Sequence, residues 1–278
     1  MNAVPAEQDL SVNMPRSNLL VNEAELSKLT HDTVATFNGA LDFLNAADVI
    51  RTYQPNGHVP NGRVWGPVPA EQPGWQWHFV VTRLPEMPDH FEYAFELQQI
   101  GDAADHWTAF VTGWFKASAG ARKGQGSFMM TTDDLRNAGF PVGVNAKGEM
   151  LKYLTVTYST ADYPINVTMD IGLYPADAAS TGYTNYGMIH IAYEAQANGQ
   201  GALEFEATDA KGNNITVVTR WLATGRGRAD ATVTIGPVMG QTRTQCWDDM
   251  FRETYNQTQW DPTMTRGDAS LCPDIPTL

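Results

Sequence analysis

Two hydrophobic periods divide the chain. Over NEAELSKLTHDTVATFNGALDFLNAADVIRTY the positions Leu26, Leu29, Thr33, Phe37, Leu41 and Leu44 recur every three or four residues, the spacing of one face of a helix. Asn22 stands where an N-cap belongs, and Glu25 three residues on completes a capping-box pattern. One long helix is therefore predicted over 22–53, with an apolar stripe to lay on another element. Residues 1–21 are polar, carry Pro5 and Pro15 and show no period; they read as a flexible tether.

After YQPNGHVPNGRVWGPVPAEQPG, read as a Pro- and Gly-punctuated loop, the period becomes 2. WQWHFVVTRL puts Trp75, Trp77, Phe79 and Val81 on one face. HFEYAFELQQ sets Phe91, Tyr93, Phe95 and Leu97 against Glu92, Glu96 and Gln98. HWTAFVTGWF, GSFMMTT, KYLTVTYST, PINVTMDIGLY, GMIHIAYEAQ, ALEFEATD, NITVVTRWLA and ADATVTIG continue the series, joined by turns such as GDAAD, ANGQG and TGRG. Residues 133–148 leave room for a short helical turn or a longer loop. About ten to twelve strands with hairpin-sized connections predict a mainly β protein: one antiparallel meander over 22–278, curved into a half-barrel or barrel, with the long N-terminal helix packed on it. A two-sheet sandwich is the architectural rival.

The aromatic content changes this picture most. Trp75, Trp77, Phe79, Phe91, Tyr93, Phe95, Trp107 and Trp114 come from three successive strands. They supply either the core beneath the helix or the lining of a space between helix and sheet that takes an acyl chain or other apolar ligand.

Charge narrows the partners. The formal net charge is −13, which opposes a phosphate backbone and sets nucleic acid aside. Arg220, Arg226 and Arg228 form the longest basic cluster, read as a solvated hairpin end with anion binding as the alternative. No apolar run is long enough for a transmembrane helix. The opening lacks the basic start and apolar run of a secretory signal, so export implies a leader already removed.

Candidate chemistry is sparse. Cys246 and Cys272 are the two cysteines. They lack the paired spacing of a zinc site and the C-x-x-C of a redox pair, which leaves two free thiols or one disulfide. The intervening segment is polar and irregular, a tail that gains from a tether, so a disulfide closing 246–272 and an oxidising compartment are expected. Asp89-His90 and Asp105-His106 read as solvated strand starts, and Glu204 and Glu206 as the wet face of a strand. Nucleophile-elbow, zincin, phosphate-loop and EF-hand patterns are missing. Neither a catalytic residue, a metal ligand nor a cofactor is assigned.

RVWGPV before WQWHFVVTRL, then VVTRWLATGRGRADATVTIG, then QCWDD with RGDASLCP, resemble a family of uncharacterised secreted proteins and lipoproteins of myxobacteria-like bacteria. That resemblance implies export and a lipid-anchored or periplasmic life, and no activity. The architecture alone is similar to the half-barrels of bacterial lipoprotein carriers. The expected function is an extracytoplasmic, non-enzymatic envelope or secreted protein binding a lipid or other apolar ligand. The rivals are a structural or adhesive surface protein and a hydrolase of envelope polymers.

Overall fold

In the computed structural model, residues 6–15, 23–41, 44, 54–120, 123–144, 148–174, 187–208 and 214–275 are described. Fifteen strands bond in chain order as one antiparallel sheet. They are β1 (Gly57–Val59), β2 (Gly62–Pro69), β3 (Trp75–Arg83), β4 (His90–Gln99), β5 (Thr108–Ala117), β6 (Gly124–Thr131), β7 (Met150–Ser159) and β8 (Ile165–Tyr174). There follow β9 (Gly187–Ala195), β10 (Gly201–Thr208), β11 (Asn214–Trp221), β12 (Gly227–Ile235), β13 (Thr242–Trp247), β14 (Glu253–Thr258) and β15 (Arg266–Gly267). Three helices accompany them: α1 (Glu7–Leu10), α2 (Glu25–Ala40) and α3 (Asp133–Asn137).

The meander is as predicted; its strand count is corrected, and of the two forms left open, half-barrel or barrel, the closed one is excluded. β1 and β2 arise inside the stretch read as a loop, β13 follows the last strand that the alternation singled out, and β14 and β15 extend the sheet through what read as an irregular tail. Among the described residues the strand order has two ends, β1 bonding to β2 and β15 to β14, so no barrel closes. The long helix over 22–53 is also corrected: the described helix is α2 alone. It stops after Asn38-Gly39, where the Leu41 N–H turns back to the Asn38 carbonyl and Asn38 spends its side chain on both backbone groups of Val12. Asn22 and residues 45–53 lie outside the described residues.

The chain divides into two compact units, residues 1–10, 42–162 and 169–188, and residues 11–41, 163–168 and 189–278. Within each, one device recurs: a large ring on one strand lies over a glycine of the next. In the first unit Tyr93 faces Gly113 and Tyr158 faces Gly126 across their strand pairs, and Tyr153 lies over Gly172. In the second, Trp221 faces Gly201 and Trp247 faces Gly227. A β-carbon at Gly227 would lie 2.6 Å from the Trp247 ring, and one at Gly201 2.5 Å from that of Trp221. Glycine ordinarily weakens a strand; here it makes the space that a ring needs to lie flat on the sheet.

In the second unit α2 packs on β11, β12 and β13, where Ala229 and Ala231 are small enough to admit it. Its buried face is Leu26, Ser27, Thr30, His31, Val34 and Phe37; of the predicted stripe Leu26, Phe37, Leu41 and Leu44 are buried and Leu29 and Thr33 half-buried. The face is widened by buried polar groups. Thr30 gives its hydroxyl hydrogen to the Leu26 carbonyl and so accepts from Thr219, both at 2.8 Å. The first turn has no side-chain cap of its own; instead the Gln245 amide oxygen on β13 accepts from the Leu26 N–H at 2.6 Å. His31 Nδ1 meets Glu23 at 2.5 Å and Nε2 meets the Pro15 carbonyl at 3.0 Å. Leu10, Val12 and Met14, in the stretch read as a tether, are buried.

Two expectations follow. Gly227→Ala forces the Trp247 ring off its seat and lowers stability by about 1–3 kcal/mol in urea unfolding, whereas Gly39→Ala, in a helix with open space around it, raises it by about 0.5–1 kcal/mol. Burial holds the Tyr193 hydroxyl above the ordinary tyrosine range, against the hydrogen bond from the Asn13 N–H. The unfolded chain therefore loses that proton first, and stability falls as pH rises past about 10. Tyr193→Phe should flatten the fall in unfolding midpoint above that pH.

Candidate functional site

The first unit holds a cleft of about 650 Å³ between the β1–β2 turn and the β3–β4 hairpin. Strand register builds it. Arg63 pairs with Val81, Trp65 with Phe79, and Arg83 with Phe91, so Arg63, Trp65, Val81, Arg83 and Phe91 share one face. Beyond β3 the chain turns through Leu84, Pro85 and Pro88, which complete the wall, and Arg83 Nε holds that turn by donating to the Pro88 carbonyl at 2.7 Å. Asn61, in the left-handed region at φ 55°, closes the other end. Trp65 is buried, with its ring 5.9 Å from that of Phe79.

A second groove, of about 490 Å³, lies in the same unit, lined among others by Val80, Glu92, Thr112, Trp114, Ser127 and Met129. Trp114 stacks on His90 with ring planes 9° apart. Two residues of β4 further on from the Glu92–Ala94 stretch, Glu96 bonds His78 Nε2 across the β3–β4 pair. The Trp107 ring lies over His78 with centroids 3.6 Å apart, anchored by its own N–H to the Ala104 carbonyl.

The eight predicted aromatics thus separate. Phe91 lines the cleft, while Tyr93 and Trp114 line the groove. Trp75 joins Leu97 and Leu135 in a buried cluster against which Trp77 packs. Trp77 stacks on Phe95 at 5.1 Å, and Phe79 sits between Trp65, Tyr93 and Phe95. Trp107 and Trp114 contact histidines whose cross-strand partners are Glu96 and Lys116, on the face opposite the other six. The step in register at Phe95/Glu96 is what a count of alternate residues misses. The sequence reading also passed over Arg63, Trp65, Arg83 and the Leu84–Pro88 turn; the alternation Arg63, Trp65 was the available signal, masked by the glycines and prolines around it.

In the second unit, the three arginines noted in the sequence are spoken for. Arg228 makes a forked contact to Asp230 at 2.8–3.1 Å, Arg220 approaches the same carboxylate at 3.5 Å, and Thr244 donates to it at 2.7 Å. Arg226 donates to the Leu271 carbonyl. That bond sits next to the disulfide joining Cys246 and Cys272, with Cα atoms 5.3 Å apart, inside the separation a disulfide requires. Glu204 and Glu206 are exposed, as are Asp105 and His106, 3.9 Å apart. Among the described residues no cluster of three or more His, Cys, Asp or Glu could hold a metal ion, and no helix is long and apolar enough to cross a membrane.

Comparison with known protein families, with curated proteins and with solved structures finds no match to this chain. The cleft therefore has to be read on its own chemistry. The disulfide restricts the unfolded tail, so reducing it should lower stability by about 3–4 kcal/mol. Urea unfolding with and without reductant measures it; coincident midpoints would refute the tethering role.

Proposed function

We propose that the chain is an extracytoplasmic, non-enzymatic envelope or secreted protein that binds an apolar ligand in the cleft of its first unit. The observation that carries this reading is the lining of that cleft: Trp65, Val81, Leu84, Pro85, Pro88 and Phe91 present an apolar wall. Its volume falls within the range of about 300–1,000 Å³ typical of small-molecule sites. This reading seats the ligand between two turns rather than between helix and sheet, because α2 contributes nothing to the lining.

The compartment rests on the disulfide, which persists in oxidising surroundings, and on the resemblance of the RVWGPV and QCWDD segments to secreted proteins and lipoproteins. A hydrolase of glycosidase type needs two carboxylates facing one bond. Among the described residues the cleft lining has none and the groove lining has Glu92 alone, which favours a binder.

The test uses the neutral probe N-phenyl-1-naphthylamine, whose fluorescence rises on entering an apolar site. One saturable site is expected, weakened about tenfold by Leu84→Asp, which sets a charge in the wall. Absence of saturable uptake by the wild-type protein would sink the reading in favour of a structural or adhesive role.

A further inference from the structure

Most arginines among the described residues are neutralised. Arg136, Arg220, Arg228, Arg243, Arg252 and Arg266 each lie on a carboxylate, as a chain with 31 acidic and 18 basic residues readily arranges. Arg226 is held by the Leu271 carbonyl. Arg63 and Arg83 make no ion pair among the described residues, and both line the cleft. Their side chains are tied only to backbone oxygens, Arg63 to its neighbour Gly62 and Arg83 to Pro88. Those bonds steady each guanidinium and leave N–H groups to spare.

Register brings the two together. Arg63 sits opposite Val81, and the Arg83 N–H bonds the Asn61 carbonyl, so the pair occupies diagonal positions on adjacent strands, typically about 7–8 Å apart at the backbone. Like charges at that spacing repel, and among the described residues no acidic side chain belongs to the lining. An anion between them removes the repulsion and gains charge-assisted hydrogen bonds from both.

We infer that the cleft recognises an amphiphile with a single anionic head group, the head held by Arg63 and Arg83 and the apolar tail against Trp65, Val81, Leu84 and Phe91. This rests on the binding reading above and adds the chemistry of the ligand. A bare anion would use the arginines without the apolar wall, and a neutral hydrocarbon the wall without the arginines; the cleft offers both together.

Displacement of N-phenyl-1-naphthylamine from the intact chain by laurate, 1-dodecanol or inorganic phosphate separates these cases. Laurate is expected to displace the probe at least about tenfold more tightly than 1-dodecanol, and phosphate alone not at all. Arg63→Gln, which loses only a bond to the neighbouring Gly62 carbonyl, should bring laurate most of the way down to the affinity of 1-dodecanol with the melting temperature unchanged, and adding Arg83→Gln, which also loses the bond that holds the Pro88 turn, should weaken both compounds but laurate more. Arg63→Lys should keep part of the preference, and 1 M salt should weaken laurate alone. Equal affinity for laurate and 1-dodecanol in the wild-type protein would overturn head-group recognition and leave an apolar site standing. Phosphate competing as well as laurate would overturn the amphiphile in favour of a bare anion. If the probe binds but neither twelve-carbon compound displaces it, the inference fails; if the probe itself finds no saturable site, the binding reading fails first.

Discussion

A ring laid flat over a glycine on the neighbouring strand is the constraint that organises both units. An antiparallel pair brings opposite side chains to about 4.5–5.5 Å at their β-carbons, too close for a Trp or Tyr to lie down beside anything larger than hydrogen. Tyr93 over Gly113, Tyr158 over Gly126, Trp221 over Gly201 and Trp247 over Gly227 all obey it. The pairing also fixes register: a slip of one residue would set each ring against a side chain and turn every strand inside out. The cleft inherits its geometry from this. Val81 is the partner of Tyr93 on the other side, so once Tyr93 is pinned on Gly113, the positions of Val81, Arg83 and Arg63 along their strands are set too.

The second unit adds a polar seam beneath its helix. Glu25 reaches Arg243 at 2.8 Å, Arg243 reaches Asn256 at 3.0 Å, and Asn256 donates on to the Met264 carbonyl. Gln245 joins the helix start to Glu253, and a bound His31 between Glu23 and Pro15 fastens the segment before the helix. Both ring nitrogens of His31 are engaged, which fixes the orientation of the ring. Apolar contact alone would let α2 slide by a turn; these partners accept one position of the helix.

How much of this was legible in the sequence depends on whether one face of an element is wet. The ten strands from Trp75 to Ile235 alternate cleanly and were read correctly, as was the helical turn at Asp133–Asn137. β13 was invisible because Arg243, Gln245, Cys246 and Trp247 are all buried: with both faces covered, and two of those residues polar, no period survives. β2 was hidden by Gly66-Pro67, where the strand bulges and Gly66, at φ +108°, would put any β-carbon 2.7 Å from the Trp77 carbonyl. The helix was found with most of its apolar stripe, but not the burial of Ser27, Thr30 and His31, whose partners are Glu23 and Pro15 before the helix and Thr219 on β11. The cysteine pair was legible from count and spacing alone. The cleft was not, because it arises where two turns approach each other, and only one of the eight aromatic residues proposed as lining, Phe91, reaches it.

The tail and its disulfide have a mechanical meaning as well. The strands that end the order are short, three residues in β1 and two in β15, which leaves little open ladder for another chain to add to. A two-residue strand is also weak in the other sense: a pull on the chain beyond Cys272 would unzip β15 and then β14 one hydrogen bond at a time. Because Cys272 is bonded to Cys246, that load passes straight into β13, which is gripped by strands on both sides. Force then has to shear a whole strand out of the sheet, and the last two strands ride along unloaded inside a closed covalent loop.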